Sequence, residues 1–183
     1  MQAPVAQPPV RIEEQAPRIE QRAVPMMPPA ACAEGCDQLM QAAWRHADRG
    51  MADAAEQDCR KTIALAAFDP RPHYLLAQLA QERGDAMQAN SLLKKVIYLD
   101  PSFIAAYLEI GALNARAGDM EHSRRMYETA RRALSKLPAT AAVAPYRDST
   151  AADILAYVER LLCAPNGEIG ATARAEARLH QGA

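Results

Sequence analysis

The chain has 183 residues, half of them hydrophobic, 5% aromatic and 23% charged, with a formal net charge of -1. That length sets one domain plus tails, and an alanine-rich, aromatic-poor composition suits close-packed helices better than strands. The near-neutral balance carries no electrostatic footprint for nucleic acid. No apolar run is long enough to span a bilayer, and the N-terminus lacks the basic-then-apolar order of a secretory signal. The expected setting is the cytoplasm, without membrane insertion.

Residues 1–34 stand apart from the rest. Seven of the 13 prolines fall between Pro4 and Pro29. Proline fixes φ and removes a backbone donor, so the expectation is a disordered Pro-rich tail or linker.

From residue 35 a helical pattern begins and repeats. Gly50, Gly84 and Gly118 stand 84 − 50 = 34 and 118 − 84 = 34 residues apart. Each follows a helical stretch and precedes a second one, and five residues on lies a small residue: Ala55, Ala89 or Ser123. Glycine ends a helix in the left-handed conformation, and the small residue lets two antiparallel helices approach. Asp69-Pro70 and Asp100-Pro101 close the second helices, because the residue before proline avoids the helical region. A period of 34 built from helix-turn-helix units is the tetratricopeptide (TPR) signature. The spacing therefore predicts repeats over about 35–69, 70–103 and 104–137.

The helical phase selects Leu39, Ala42, Ala43, Cys59 and Ile63 as inward-facing in the first repeat. In the second it selects Leu76, Ala77, Leu92, Leu93, Val96 and Leu99, and in the third Tyr107, Ile110, Gly111, Met126, Tyr127 and Ala130. The second helix of the first repeat is expected to run a turn longer, to Phe68, with a correspondingly shorter helix after Pro70 and Pro72. Residues 138–148, with Pro138 and Pro145, read as a linker. Ser149, Thr150 and Asp153 then form a helix start. Ile154, Leu155, Val158, Leu161 and Leu162 mark the apolar face of a capping helix over 149–163, which covers the end of the solenoid. Residues 164–183 read as a flexible tail. The fold class is all-α: a solenoid of about three TPR repeats with a C-terminal cap.

In a TPR stack the first helix of each repeat lines the concave groove. One turn apart, the groove positions are Met40 and Trp44, Tyr74 and Gln78, and Leu108 and Ala112. Apolar and aromatic anchors with few charges suit a partner helix or peptide segment. The basic pairs Arg60-Lys61, Lys94-Lys95, Arg124-Arg125 and Arg131-Arg132 fall on the second helices, the solvated convex side.

No catalytic or cofactor constellation appears. The eight glycines never cluster into a phosphate-cradling loop, and His46, His73, His122 and His180 are scattered. Cys32 and Cys36 have the spacing of one zinc-ligand pair, but a second tight pair is missing, so no metal site is expected. The expectation is a non-enzyme that binds another protein.

A narrower resemblance rests on Phe68-Asp69-Pro70, the run from His73 to Ala77, Gly84-Asp85, Ile97 to Pro101, Phe103, Ala106-Tyr107, Gly111, Gly118-Asp119, Arg124-Arg125 and Ala130. Together with the helix from Ser149 to Leu155, these resemble the TPR segment at the C-terminus of some CheR-type chemoreceptor methyltransferases, over roughly residues 37–163. The catalytic domain of that family carries a Gly-rich S-adenosylmethionine motif followed by Glu-Pro-Tyr-Ser. Neither is present, so no catalytic residue is carried over. The resemblance implies a chemotaxis-like signalling context, with a chemoreceptor, a coupling protein or the methyltransferase itself as partner. It also leaves open a regulatory TPR part of such a methyltransferase, beside the generic reading of a chaperone-type TPR adaptor.

Overall fold

Three glycines set the repeat. Gly50, Gly84 and Gly118 have φ of +71°, +79° and +84°, and no other described residue has positive φ. Each ends a helix with the paired hydrogen bonds of a Schellman turn: Gly84 N–H to Gln81 C=O (3.0 Å) and Asp85 N–H to Ala80 C=O (2.9 Å), for example. The next helix starts at once, because the Asp85 carboxylate accepts from Gln88 N–H at 2.9 Å and Asp119 from His122 N–H at 3.1 Å.

The computed structural model describes residues 29–163. Their elements, in chain order, are α1 (Pro29–Asp48), α2 (Ala52–Leu65), α3 (Pro70–Glu82), α4 (Ala86–Leu99), α5 (Ile104–Arg116), α6 (Met120–Leu134), strands β1 (Ala142–Val143) and β2 (Tyr146–Thr150), and α7 (Ala151–Cys163). Helices pack as the hairpins α1/α2, α3/α4 and α5/α6, with α7 laid on α6. Small residues sit where these hairpins close: Ala43, Ala55, Ala77, Ala89, Ala106, Ser123 and Ala130 are fully buried.

Several sequence-based boundaries are corrected. Helix α1 starts at Pro29, inside the expected tail; proline is tolerated in a first helical turn, where its missing N–H would have no partner. Helix α2 stops at Leu65 and has 14 residues, as α4 has, while α3 and α5 have 13 each. Residues 66–69 form the α2–α3 loop, the same length as the α4–α5 loop at 100–103, so α3 is not shortened; Phe68 in that loop is 85% exposed. The expected linker 138–148 holds most of a two-stranded antiparallel hairpin, β1 with β2, across a cis Ala144–Pro145 bond; β2 runs on to Thr150, so the capping helix expected from residue 149 starts at Ala151. The expected tails at 1–28 and 164–183 lie outside the described residues.

Packing follows the helical phase closely. Ala43, Cys59, Ala77, Leu93, Val96, Ile110, Gly111, Tyr127 and Ala130 are all buried as expected, while Leu39, Ala42, Ile63, Leu76, Leu92, Leu99, Tyr107 and Met126 are half-buried. Three linked clusters result. Met40, Ala43, Cys59 and Leu75 close the first repeat on the second. Tyr74, Leu93, Val96 and Ile110 form the middle. Leu108, Tyr127, Leu134, Ile154, Val158 and Leu161 close the third repeat under α7. Full burial of such side chains contributes roughly 1.5–3 kcal/mol each. The α7 start is a reciprocal capping box: Thr150 N–H and Oγ1 donate to Asp153 Oδ2 at 2.9 and 2.6 Å, and Asp153 N–H donates back to Thr150 Oγ1 at 3.3 Å.

Candidate functional site: the concave groove

The six expected groove residues separate into two sets. Trp44, Gln78 and Ala112, each 34 residues from the next, are half-buried. Met40, Tyr74 and Leu108, one turn earlier, are only 2%, 1% and 6% exposed. These three are core residues, and their placement in an open groove is corrected. The reason is geometric: at this phase a side chain points at the following repeat. Met40 packs in the cluster with Leu75, Tyr74 with Ala105 and Ala106, and Leu108 with the α7 residues Ile154 and Val158.

An aromatic row crosses the repeats. The Trp44 and Tyr74 ring centroids are 6.4 Å apart, and those of Tyr74 and Phe103 are 5.1 Å apart, both pairs tilted at 42°. Beyond Trp44, along one stripe of α1, an open surface hollow of about 340 Å³ is lined by Gln41, Trp44, Arg45 and Asp48. It combines an aromatic wall with amide, cationic and anionic groups, the combination that gives a peptide anchor both area and orientation.

At the other end the groove carries a polar chain. Arg116 Nη2 donates to Gln81 Oε1 at 2.7 Å, and Gln81 Nε2 donates to Glu109 Oε2 at 3.1 Å, joining α3 to α5. Burial lifts the Glu109 carboxyl above the ordinary glutamate range, with the Gln81 amide and Arg116 acting against it. Gln78 Nε2 donates to the Tyr74 hydroxyl at 3.1 Å.

Tyr146, at the start of β2, was not among the sequence-based candidates. It packs against both the middle cluster and the C-terminal one, with its hydroxyl near that of Tyr74. Burial holds its hydroxyl well above the usual tyrosine value, with Glu109 and Tyr157 adding to it. In sequence the only signal is one aromatic beside Pro145 in a stretch with no helical period.

The convex helices carry their basic residues as expected, exposed and paired along their own helices: Arg60 with Glu56 at 2.6 Å and Arg124 with Glu128 at 3.7 Å, with Arg125 on Glu121. Ties between repeats lie on exposed side chains, Arg71 with Asp37 at 2.7 Å and Arg83 with Glu56 at 3.1 Å. Exposed pairs of this sort contribute about 0–1 kcal/mol.

His46 is engaged with Asp58 (Nδ1 to Oδ2, 3.0 Å). Cys36 and Cys59 are buried and Cys163 is exposed. Burial, then Asp58 and Glu56, pushes the Cys59 thiol up to about 12, the opposite of an activated thiolate. Among the described residues no three His, Cys, Asp or Glu side chains are grouped to hold a metal ion, and no helix is long and apolar enough to cross a membrane.

No family model matches the chain. It is 33% identical over 100 residues to the probable biofilm formation methyltransferase WspC of Pseudomonas putida, an alignment covering 55% of this chain and 24% of WspC. To the WspC of Pseudomonas aeruginosa it is 29% identical over 92 residues, covering 50% and 22%. The chain thus spans about a quarter of the length of the curated relatives it matches. Among solved structures it is similar to the Yersinia enterocolitica type III secretion translocator chaperone SycD (TM-score 0.59, 14% identity, 71% of this chain and 89% of SycD). It is also similar to PcrH in complex with the chaperone binding region of PopD (0.59, 17%, 71% and 90%). A third likeness is to the first TPR of Spaghetti (RPAP3) bound to an HSP90 peptide (0.52, 16%, 72% and 95%). At those identities the structures speak for the fold, and the WspC alignments for the kind of sequence. Together they make the chain an all-α tetratricopeptide solenoid that resembles the C-terminal TPR segment of CheR-type methyltransferases.

Proposed function

We propose that the chain is a cytoplasmic protein-interaction module of a chemotaxis-like signalling pathway. It holds a helix or short segment of another protein in its concave groove and carries out no catalysis itself. The observation that carries this reading is the open hollow of about 340 Å³ beside half-buried Trp44, with Gln41, Arg45 and Asp48 around it. An accessible tryptophan with a polar rim is the usual anatomy of an interface anchor. Solved proteins of this fold support the choice of ligand class, since PcrH was seen with the chaperone binding region of PopD and the RPAP3 repeat with an HSP90 peptide. The signalling context rests on the WspC alignments. The partner proposed is a chemoreceptor, a coupling protein or a methyltransferase of that pathway. Binding by these three is tested with Trp44→Ala, which removes the anchor; because Trp44 also packs on the first two clusters, the fold of the variant is checked by circular dichroism. Undiminished binding would remove the groove from the account.

The second reading, a regulatory TPR part of a CheR-type S-adenosylmethionine-dependent protein-glutamate methyltransferase, is favoured by one observation: the match covers only about a quarter of each WspC chain. The mass of the native gene product separates the two readings. Under both, calorimetry of this chain with S-adenosylmethionine gives no binding heat, and a measurable affinity would overturn the non-catalytic assignment. The generic adaptor that clamps a terminal carboxylate is disfavoured, because the repeated groove positions are Trp44, Gln78 and Ala112, with no Lys, Arg or Asn row to pair an anionic end.

A further inference from the structure

The groove is not empty along its length. Over α3 and α5 it is occupied by a side chain from outside the repeats. Tyr146 reaches in from a hairpin whose strands span only residues 142–143 and 146–150. That hairpin is fastened at its base by Ala151 N–H to Ala141 C=O (2.8 Å) and Ala152 N–H to Ala139 C=O (3.0 Å). The half-buried Tyr146 packs against the middle and C-terminal clusters, with Tyr74 of α3, Glu109 of α5, Tyr127 of α6 and Tyr157 of α7 around it. Its hydroxyl meets Tyr74, which also receives Gln78. An aromatic body packed on apolar surface with its polar tip beside polar groups is how an anchoring tyrosine of a bound peptide is held. Tyr74 also continues to Trp44 in the aromatic row, so the occupied site and the hollow on α1 are neighbours on one surface.

We propose that the face between α3 and α5 is an aromatic side-chain site filled in cis by Tyr146, and that a partner segment engages the full groove by exchanging an aromatic residue of its own for Tyr146. The hairpin is then an autoinhibitory latch. While Tyr146 is seated, only the Trp44 end is open, and the partner must carry an aromatic residue to take the rest. This rests on the groove reading given above and adds to it the side-chain chemistry of the partner and a device that regulates access.

The test uses the full chain and no partner protein, so its failure is separable from failure of the Trp44 experiment. Tyr146→Ala vacates the site, and p-cresol, the tyrosine side chain as a free molecule, refills it. At about ten times its Kd, p-cresol raises the melting temperature of Tyr146→Ala by about 3–6 °C and leaves the wild-type value without a rise. A synthetic peptide of residues 142–150 is then titrated while Trp44, the single tryptophan, reports by fluorescence. It binds Tyr146→Ala at least tenfold more tightly than wild type, and the same peptide with alanine for its tyrosine does not. If Tyr146→Ala does not fold alone, folding on addition of p-cresol is itself the supporting result. Tyr146→Phe, which keeps the ring and removes the hydroxyl beside Tyr74, then takes the peptide titration and binds more tightly than wild type. No p-cresol effect on Tyr146→Ala, or peptide affinities equal for wild type and both variants, overturns the proposal.

Discussion

Gly111 on α5 lies directly beneath the ring of Tyr127 on α6: a Cβ placed at Gly111 would stand 2.7 Å from Tyr127 Cε1 and 2.9 Å from Cζ. Tyr127 is 1% exposed, in the cluster that also holds Leu134, Val158 and Leu161. The ring therefore has no solvent into which to swing. Gly111→Ala gains helix propensity of about 0.5–1 kcal/mol but overpacks the α5/α6 contact at a cost of about 1–3 kcal/mol. The expected outcome is net destabilisation, read as a lower urea midpoint with an unchanged m-value. Adding Tyr127→Leu to Gly111→Ala should cost less than the sum of the two single changes, because the added methyl then meets a smaller side chain.

His73 gives a pH dependence. It is 3% exposed on α3, and neither ring nitrogen has a hydrogen-bond partner. Burial lowers its pKa first and Lys95 on α4 adds to this, while Asp69 at the helix start acts in the opposite direction. The neutral ring is thus the folded form. Its contribution is complete above the unfolded value of about 6.5 and is lost as pH falls through that value toward the lower folded one. Urea midpoints should fall between about pH 7.5 and pH 5, and His73→Leu should flatten that slope. An identical slope in the variant would assign the acid sensitivity to other groups.

Asp58 ties the first hairpin together. Only 7% exposed, it accepts from Lys61 Nζ at 2.9 Å and pairs with His46 Nδ1 on α1 at 3.0 Å. Burial raises its pKa, yet the hydrogen bonds and charges of Lys61 and His46 prevail and hold the carboxyl below the ordinary aspartate value. Asp58→Ala strands His46 at the α1/α2 contact and should destabilise by about 1–3 kcal/mol. The double change with His46→Ala should cost less than the sum of the singles, which a four-member cycle in urea would measure.

How far the sequence could be read depends on what repeats. The glycine phase, the small residues at Ala55, Ala89 and Ser123 and the Thr150/Asp153 cap each follow a local rule, and each recurs in the structure in its expected role. Of the two Asp-Pro pairs, Asp100 ends α4 as expected, whereas Asp69 caps the start of α3 and Pro70 is its first residue, so that pair opens a helix rather than closing α2. The groove was half legible. The phase of Trp44, Gln78 and Ala112 keeps them half-buried on the open side, but the phase of Met40, Tyr74 and Leu108 turns them into the next repeat. A helical period gives a face, not the distance to a neighbouring helix. Tyr146 was invisible for a different reason. Its strand pairs over a few residues only, and its place is fixed by contacts with Tyr74 far back in the chain. Residues 66–68 read as a further turn of α2, but α2 ends at Leu65 as α4 ends at Leu99, 34 residues on, and 66–69 form a loop as long as 100–103.

The most direct measurement of the central claim is calorimetric binding of purified chemoreceptor signalling domain, coupling protein and methyltransferase from the same cell to three forms of the chain. These are wild type, Trp44→Ala in the groove and Lys94→Ala on the convex side, with circular dichroism to confirm the fold of each. The account predicts that one of the three partners binds wild type and Lys94→Ala alike and binds Trp44→Ala at least tenfold more weakly, a loss of about 1.4 kcal/mol or more. Equal affinity for Trp44→Ala and wild type, or no binding by any of the three, would contradict it.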